Sequence, residues 1–153
     1  MHKIPKLSDL RDDANLALLI RQVREGLMHQ LERELTAIGV ELNYSQYLVL
    51  KLLAKYGPQM PGDVARCLEH NAGAMTRLLD RLEDKGYVRR QPHAEDRRAL
   101  SIDLTEAGQA LWKTINNCSE RIQNTAVRDL EQPERERLFD LLKRVRDTLE
   151  KTP

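Results

Sequence analysis

Arginine side chains are the residues of this sequence whose spacing points to chemistry. Between positions 77 and 98 the basic residues outnumber the acidic ones, although the whole chain balances 25 Lys and Arg against 24 Asp and Glu. A guanidinium group binds phosphate oxygens and guanine edges through paired hydrogen bonds, so the predicted chemistry is recognition of nucleic acid rather than bond breaking. The basic residues of this stretch are Arg77, Arg81, Lys85, Arg89, Arg90, Arg97 and Arg98.

Histidines and acidic residues do not form a catalytic or metal-binding pattern. His2, His29, His70 and His93 are scattered, and none stands at metal-ligand spacing from another His or Cys, so we predict surface histidines. The sequence contains no Gly-rich phosphate loop, no HExxH motif and no nucleophile elbow. These observations predict a protein without enzymatic activity, cofactor or bound metal.

Two cysteines, Cys67 and Cys118, exclude a scaffold of several disulfides and form no CxxC motif. Both fall on apolar helical stripes, where a thiol acts as a small hydrophobic group, so we predict that both belong to the core. Sensing of oxidants through either thiol is the minor alternative. The scarcity of cysteine is typical of a reducing compartment.

The composition, with 41% hydrophobic and 32% charged residues, predicts a soluble, folded protein. No apolar stretch approaches the roughly 20 residues that cross a bilayer, and the first residues lack the apolar segment of a signal peptide. We therefore expect a cytoplasmic protein without a membrane partner.

Helical periodicity governs most of the chain. Apolar residues recur at steps of three and four from about Asp12 to Ile38, which predicts one long helix that ends at Gly39. Asn43 and Gln46 have the spacing of a capping box, which predicts the start of a second helix; its expected buried residues are Tyr47, Leu50, Leu53 and Ala54. Gly57-Pro58 is expected to end it.

Two short helices and a hairpin follow in the predicted order. Pro61 suits the first turn of a third helix, and a fourth helix carries Met75, Leu78, Leu79 and Leu82 on one side before Gly86. Strand signals at 87–90 and 100–104 flank a polar bend, which predicts a hairpin. A helix-turn-helix followed by a hairpin is the architecture of a winged helix, whose second short helix fits a DNA major groove.

Long helices at both ends of the chain have more apolar surface than a small winged-helix core covers. Thr105 and Glu106 open the first C-terminal helix, and its predicted stripe runs from Ala107 through Ile115 to Ala126. The predicted fold is mainly α with a small β-hairpin wing and helical dimerisation regions at both ends, in one compact domain. We divide it into 1–40 and 105–153 for pairing in a homodimer, and 41–104 for DNA binding.

A resemblance to a known family adds to this interpretation. The stretch from Gly73 to Arg90, then Asp96-Arg97-Arg98-Ala99, then Leu104-Thr105-Glu106-Ala107-Gly108, closely resembles the signature of the MarR family of transcription regulators. The match joins a recognition helix, an Asp-Arg-Arg wing and a Leu-Thr-x-x-Gly helix start in order. The resemblance covers nearly the whole chain.

The resemblance implies which residues contact DNA. Five residues early in the fourth helix would meet base edges, namely Asn71, Ala72, Ala74, Thr76 and Arg77. Arg77 would either bond a guanine or hold a phosphate, and Thr76 would touch a thymine methyl. In the wing, Arg98 would enter the minor groove, with Asp96 as the side-chain partner that orients it and Arg97 as a second cation. Arg89 and Arg90 would contact phosphate, or Arg90 would line an anion pocket.

The predicted function is sequence-specific binding of double-stranded DNA by a homodimeric regulator, which represses by occupying a pseudo-palindromic operator. The resemblance further implies release by a small effector, often phenolic or an aromatic carboxylate, for which we predict no residues. Two alternatives from other classes are a winged helix that binds proteins and an architectural protein that coats DNA without choosing sequences. The former would bind no duplex at low salt, and the latter would bind all duplexes alike.

Overall fold

A computed structural model describes residues 9–10 and 15–153 of the chain. It confirms the predicted fold class, since helices flank a single antiparallel hairpin within this part of the protein. The elements in chain order are α1 (Leu16–Ala37), α2 (Tyr44–Tyr56), α3 (Pro61–Cys67), α4 (Ala72–Asp84), β1 (Val88–Pro92), β2 (Leu100–Leu104), α5 (Glu106–Ala126) and α6 (Gln132–Glu150).

Helix α1 ends where the sequence predicts. Gly39 adopts a φ of +80°, a left-handed conformation that glycine enters without steric cost. Its N–H donates to the Thr36 carbonyl at 3.0 Å, and the Val40 N–H donates to the Leu35 carbonyl at 2.9 Å, which closes the helix end. The start predicted near Asp12 lies outside the described residues, and the described helix begins after the Asn15 N-cap.

Helix α2 begins with the predicted capping box. The Asn43 side chain accepts from the Gln46 N–H at 2.9 Å, and the Gln46 side chain accepts from the Asn43 N–H at 3.1 Å. The predicted buried face is wrong at Ala54, which is exposed, because Val49 packs inward instead. Gly57 ends the helix with a φ of +73°.

His70 joins α2 to the turn that precedes α4. The Leu68 carbonyl, 2.7 Å from Nδ1, only accepts, so Nδ1 carries the proton and donates to it. Nε2, 3.2 Å from the Ser45 Oγ, then accepts from that hydroxyl. The prediction of a surface histidine is therefore wrong for His70, which is half-buried; His29 is exposed, and His2 lies outside the described residues.

The core lies between the helix-turn-helix, the base of the hairpin and α5. Met75, Leu79 and Leu82 point inward from α4 as predicted, while Leu78 is half-buried. The side chains with under 2% exposure include Leu35, Leu50, Val64, Val88, Ile102 and Ile115. Helix α4 is thus anchored by one face, and its opposite face is free for a partner.

The predicted hairpin is confirmed and is slightly longer than expected. Val88 pairs with Leu104 and Pro92 with Leu100, so the first strand extends two residues beyond Arg90. Gln59, after α2, adds a backbone bridge to Ile102, with N–H to carbonyl distances of 2.9 and 2.7 Å. This bridge ties the base of the wing to the helix-turn-helix.

The α4–α5 junction, made by Gly86, Tyr87, Thr105 and Gly108, explains the Leu-Thr-x-x-Gly pattern. Thr105 Oγ1 donates to the Gly86 carbonyl at 2.5 Å, accepts from the Gly108 N–H at 3.0 Å and so caps α5. The Thr105 N–H donates to the Tyr87 carbonyl at 3.1 Å. A Cβ on Gly108 would lie 2.0 Å from that same carbonyl oxygen, so only glycine allows this approach.

Helix α5 is anchored and helix α6 is not. The predicted α5 stripe is buried at Leu111, Ile115, Cys118 and Ile122, whereas its ends Ala107 and Ala126 are exposed. No residue of α6 is buried. Large apolar side chains exposed on α6 and on the first half of α1 are Leu16, Leu19, Ile20, Val23, Leu138, Phe139, Leu141, Leu142 and Leu149.

Candidate nucleic-acid interface

The first turn of α4 presents small and polar side chains to solvent. Asn71, Ala72, Thr76 and Arg77 are exposed, and Ala74 is half-buried. Asn71 is the N-cap, and its Oδ1 accepts from the Ala74 N–H at 2.7 Å. The side-chain oxygen of Asn71 is therefore engaged within the helix, which leaves its NH₂ group free to donate outward.

Thr76 and Arg77 differ in how much hydrogen-bonding capacity they keep. Thr76 Oγ1 donates to the Ala72 carbonyl at 2.9 Å, so its proton is held within the helix. Arg77 makes no side-chain hydrogen bond or ion pair within the described part of the chain. Its Nη1 would lie 3.6 Å from a Cβ built on Gly73, so the guanidinium extends along α4 toward the start of the helix.

Arg90 is turned inward to α4. Its guanidinium lies 2.6 Å from the Asp80 carboxylate and 3.1 Å from that of Glu83, and only 23% of its side chain is exposed. The hydrogen bond to Asp80 raises the pKa of Arg90 above its ordinary value, so the group stays charged. The structure thus gives Arg90 two protein partners, and its contact with phosphate or its place in an anion pocket stays a prediction.

Arg89, the neighbouring residue of β1, points the other way. Its side chain is 60% exposed and lies 3.7 Å from the Asp103 carboxylate on the paired strand. An ion pair this exposed is worth little, so the guanidinium is available to an outside anion. Arg89 as a phosphate contact stays a prediction.

A turn stabilised by Asp96 closes the wing tip. Its Oδ1 accepts from the Arg98 backbone N–H at 3.0 Å, and its carbonyl accepts from the Ala99 N–H at the same distance. The carboxylate therefore holds the Arg98 backbone rather than the guanidinium expected as its partner. Arg97 and Arg98 are exposed, and neither guanidinium has an ion pair within the described residues. Their roles at DNA stay predictions.

His93 lies where β1 leads into this wing tip. Its N–H donates to the Ala99 carbonyl at 2.8 Å, and its Nδ1 accepts from the Glu95 N–H at 3.2 Å. The ring is half-buried, so the prediction of a surface histidine is wrong here too. His93 stabilises the bend of the wing from within the chain.

The predicted DNA-binding residues thus separate into two outward groups, the exposed Arg89 of β1 and the inward Arg90. Asn71, Ala72, Ala74, Thr76 and Arg77 lie on the N-cap and first two turns of α4, and Asp96 to Arg98 lie at the hairpin tip. Sequence reasoning missed the acidic partners of Arg90, although their spacing of three on α4 places both carboxylates on one helix face. Periodicity alone gives no sign of which strand residue meets that face.

The two cysteines lie in different environments. Cys118 is buried as predicted, but Cys67 is exposed at the end of α3, so the core prediction is wrong for it. Val64 and Ala65 fill the inward face of this short helix instead. Within the described ranges, no group of three or more His, Cys, Asp or Glu residues is arranged to hold a metal ion, and no helix is long and apolar enough to cross a membrane.

A cavity of about 350 Å³ opens between α1, α2 and α5. Two aromatic rings line it, and a cation stands near each: the Arg24 guanidinium is 5.1 Å from the Tyr44 ring centre, and the Lys51 ammonium is 5.8 Å from that of Tyr47. Trp112 lies 5.8 Å from Tyr47 between ring centres. Apolar walls with a few cations suit a small anionic aromatic molecule.

Comparisons with known proteins agree with this geometry. The MarR family model matches residues 42–100. The HTH-type transcriptional regulator SarZ of Staphylococcus haemolyticus is 31% identical over 105 residues, which span 69% of this chain and 70% of SarZ. Reduced Escherichia coli MarR has a TM-score of 0.77 at 27% identity, with 88% of this chain and 98% of MarR covered.

A further solved structure contains DNA. A mutant of E. coli MarR with one cysteine replaced by serine, complexed with operator DNA, has a TM-score of 0.72 at 28% identity, with 85% of this chain and 92% of the MarR chain covered. Sequence and fold therefore agree over the helix-turn-helix, the wing and the outer helices. The chain belongs to the MarR family of transcriptional regulators.

Proposed function

We propose that this protein is a homodimeric repressor that binds a pseudo-palindromic operator in double-stranded DNA. The observation that carries the proposal is that the guanidinium groups of Arg77, Arg97 and Arg98 are exposed and unpaired within the described residues. They stand on a helix turn and a hairpin tip, elements of the size that enter a major and a minor groove. The operator complex of the similar E. coli MarR mutant supports the same partner.

Dimerisation through residues 1–40 and 105–153 is the second part of the proposal. Helix α6 has no buried residue, although a helix in a protein draws most of its stability from the packing of its apolar face. Leu138, Phe139 and Leu142 offer such a face, and Leu19 and Val23 of α1 offer another. A second copy of the chain would cover both by two-fold symmetry.

Dimerisation has its own test in sedimentation equilibrium. Leu142→Asp should shift the protein toward monomer and weaken operator binding, while Glu136→Ala, on the same helix, should leave both unchanged. A Leu142→Asp protein that stays dimeric would remove α6 from the interface.

The third part of the proposal is that a small anionic aromatic molecule acts as the effector. The cavity between α1, α2 and α5 joins the proposed pairing helices to the helix-turn-helix, so a ligand there would contact both regions. Such a ligand releases DNA only if it binds the form unable to hold both half-sites more tightly than the DNA-bound form. Lys51 and Arg24 supply the positive charge that an aromatic carboxylate needs.

The testing experiment is an in vitro selection of fragments from the source genome by the purified protein at physiological salt, with direct binding measured on the selected duplexes. Recovery of a few pseudo-palindromic sites with half-site centres about 10 base pairs apart is expected. Recovery of every fragment alike would indicate an architectural DNA binder. Recovery of none, together with no affinity at low salt, would indicate a protein-interaction module.

A further inference from the structure

The turn of residues 68–70, between α3 and α4, sets where the recognition helix begins. The His70 N–H closes its backbone by donating to the Ala65 carbonyl at 2.9 Å. Glu69 adopts a φ of +53° and is the one non-glycine residue with a positive φ among the described residues. A residue other than glycine keeps this conformation only where surrounding contacts hold it there. The turn therefore depends on contacts beyond its own backbone.

The His70 ring supplies such contacts. Nδ1 donates its proton to the Leu68 carbonyl at 2.7 Å, so the side chain spans Glu69 within the turn. Nε2 of the neutral ring accepts from the Ser45 hydroxyl at 3.2 Å, and this second bond reaches a residue 25 positions earlier in the chain. Both ring nitrogens are thus engaged within the protein, and the ring is half-buried.

Ser45 is a well-anchored partner for this bond. It lies in the first turn of α2, which begins with the Asn43–Gln46 capping box. Val49 and Leu50 of the same helix are fully buried, so α2 is fixed in the core. Within the described residues, the Ser45–His70 bond is the only side-chain hydrogen bond or ion pair that joins α2 to residues 68–84.

The start of α4 has few other attachments. The core residues Met75, Leu79 and Leu82 lie further along the helix, whereas residues 71–73 are exposed. The first turn of α4 therefore extends beyond the residues that anchor the helix in the core. A bond that fixes the preceding turn relative to α2 also fixes where this first turn lies.

We propose that His70 is a positioning residue for operator binding: its neutral ring bridges the Leu68 carbonyl and the Ser45 hydroxyl and so holds the start of α4 in place relative to α2. Neither His70 nor Ser45 contacts DNA in this arrangement, and both act through the residues that α4 presents. Hydrogen bonds to base edges need exact placement of the helix, whereas attraction to phosphates does not. The inference rests on the proposed function, because it concerns how the operator-binding helix is held.

Substitutions of the two partners in the full-length protein test the inference. Ser45→Ala should weaken binding to a selected operator about fivefold per protomer, or about thirtyfold for a dimer, the equivalent of one hydrogen bond in each protomer. His70→Phe keeps a ring but removes both bonds, and it should weaken binding at least as much. The double variant should bind like His70→Phe alone, because the two side chains form one link. Affinity for a duplex without the operator, and its salt dependence, should not change.

Two further variants separate positioning from folding. His70→Gln keeps a donor for the Leu68 carbonyl and an acceptor for the Ser45 hydroxyl, so it should recover most of the operator affinity. Glu69→Gly added to His70→Phe relieves the left-handed backbone but makes no bond to α2. This addition should recover the free energy of unfolding in urea and leave operator binding weak.

Long-range proton–nitrogen correlation spectra report which ring nitrogen of each histidine carries the proton. At a pH where the ring is neutral, His70 should carry its proton on Nδ1 alone. A proton on Nε2 would remove the acceptor for the Ser45 hydroxyl and overturn the inference.

The possible failures are distinguishable. If no sequence is selected, the proposed function fails and the inference fails with it. If a selected operator binds Ser45→Ala and His70→Phe as tightly as wild type, the inference alone is overturned. Recovery of operator affinity by Glu69→Gly would assign His70 a role in folding only. A loss that is equal on all duplexes, with a shallower salt dependence, would make His70 a phosphate contact, and either result overturns the inference.

Discussion

Replacement of Gly108 by alanine tests the α4–α5 junction directly. The added Cβ would lie 2.0 Å from the Tyr87 oxygen and 3.0 Å from its carbonyl carbon, whereas non-bonded heavy atoms prefer about 3.5 Å. Because both neighbours are backbone atoms, the start of α5 must move by more than about 1 Å. That shift stretches the Thr105 hydrogen bonds to the Gly86 and Tyr87 carbonyls.

The magnitude follows from three contributions. Two weakened hydrogen bonds cost about 1 kcal/mol each, and overpacking costs about 1–3 kcal/mol. The better helix propensity of alanine returns about 1 kcal/mol. Gly108→Ala should therefore lower the free energy of unfolding by about 2–4 kcal/mol.

Urea unfolding followed by circular dichroism measures this change at one fixed protein concentration, since a dimer is stabilised by mass action. Gly26→Ala is the matched control: Gly26 lies within α1, and an added Cβ meets nothing within 4 Å. It should raise the free energy of unfolding by about 1 kcal/mol. A Gly108→Ala protein as stable as wild type would refute the reasoning, because the contact at the junction would then be easily relieved.

Three further substitutions address the proposed DNA and effector sites. Arg98→Ala should weaken operator binding and reduce its salt dependence, with little change in thermal stability. Arg128→Ala, which removes an equal charge remote from the wing, should leave operator binding unchanged. Unchanged affinity in Arg98→Ala would remove the wing from the mechanism. Arg90→Met should lower the free energy of unfolding by about 1 kcal/mol as its ion pairs are lost, and leave the salt slope of binding unchanged; a slope reduced by about one would show a phosphate contact instead. Lys51→Met should weaken the binding of hydroxybenzoates, measured by calorimetric titration. Lys55→Met should leave this binding unchanged, because the Lys55 cation stands over the Tyr56 ring outside the cavity. Equal affinity in both variants would exclude the cavity as the effector site.

Local signals are sufficient to predict the elements. The Asn43–Gln46 capping box and the glycine at position 39 act within a few residues, so their effect does not depend on the rest of the fold. The stripe on α4 is predictable for a similar reason, since one period recurs over several turns.

Long-range contacts cannot be read from the sequence. Arg90 is ten residues from Asp80, and His70 is 25 residues from Ser45, so each pair exists only after a strand or helix has packed. Cys67 shows a different error: it shares an apolar spacing with Val64, but the buried face of α3 is formed by Val64 and Ala65, and Cys67 lies outside it. The pattern of residue types predicts the elements, whereas the direction of a single side chain depends on the packed neighbours.

Because α4 is held at the α4–α5 junction, a small rotation there moves the opposite end of α4 by a larger distance. Thirteen residues of α4 span about 20 Å from this junction to the N-terminal turn of the helix at Ala72. A rotation of about 5° at the junction then displaces that turn by nearly 2 Å, several times the roughly 0.5 Å over which a hydrogen bond keeps its length. Since the Thr105 bonds couple α5 to the end of α4, a small tilt of α5 would displace the N-terminal turn of α4, the proposed site of base contact, by more than a hydrogen bond tolerates.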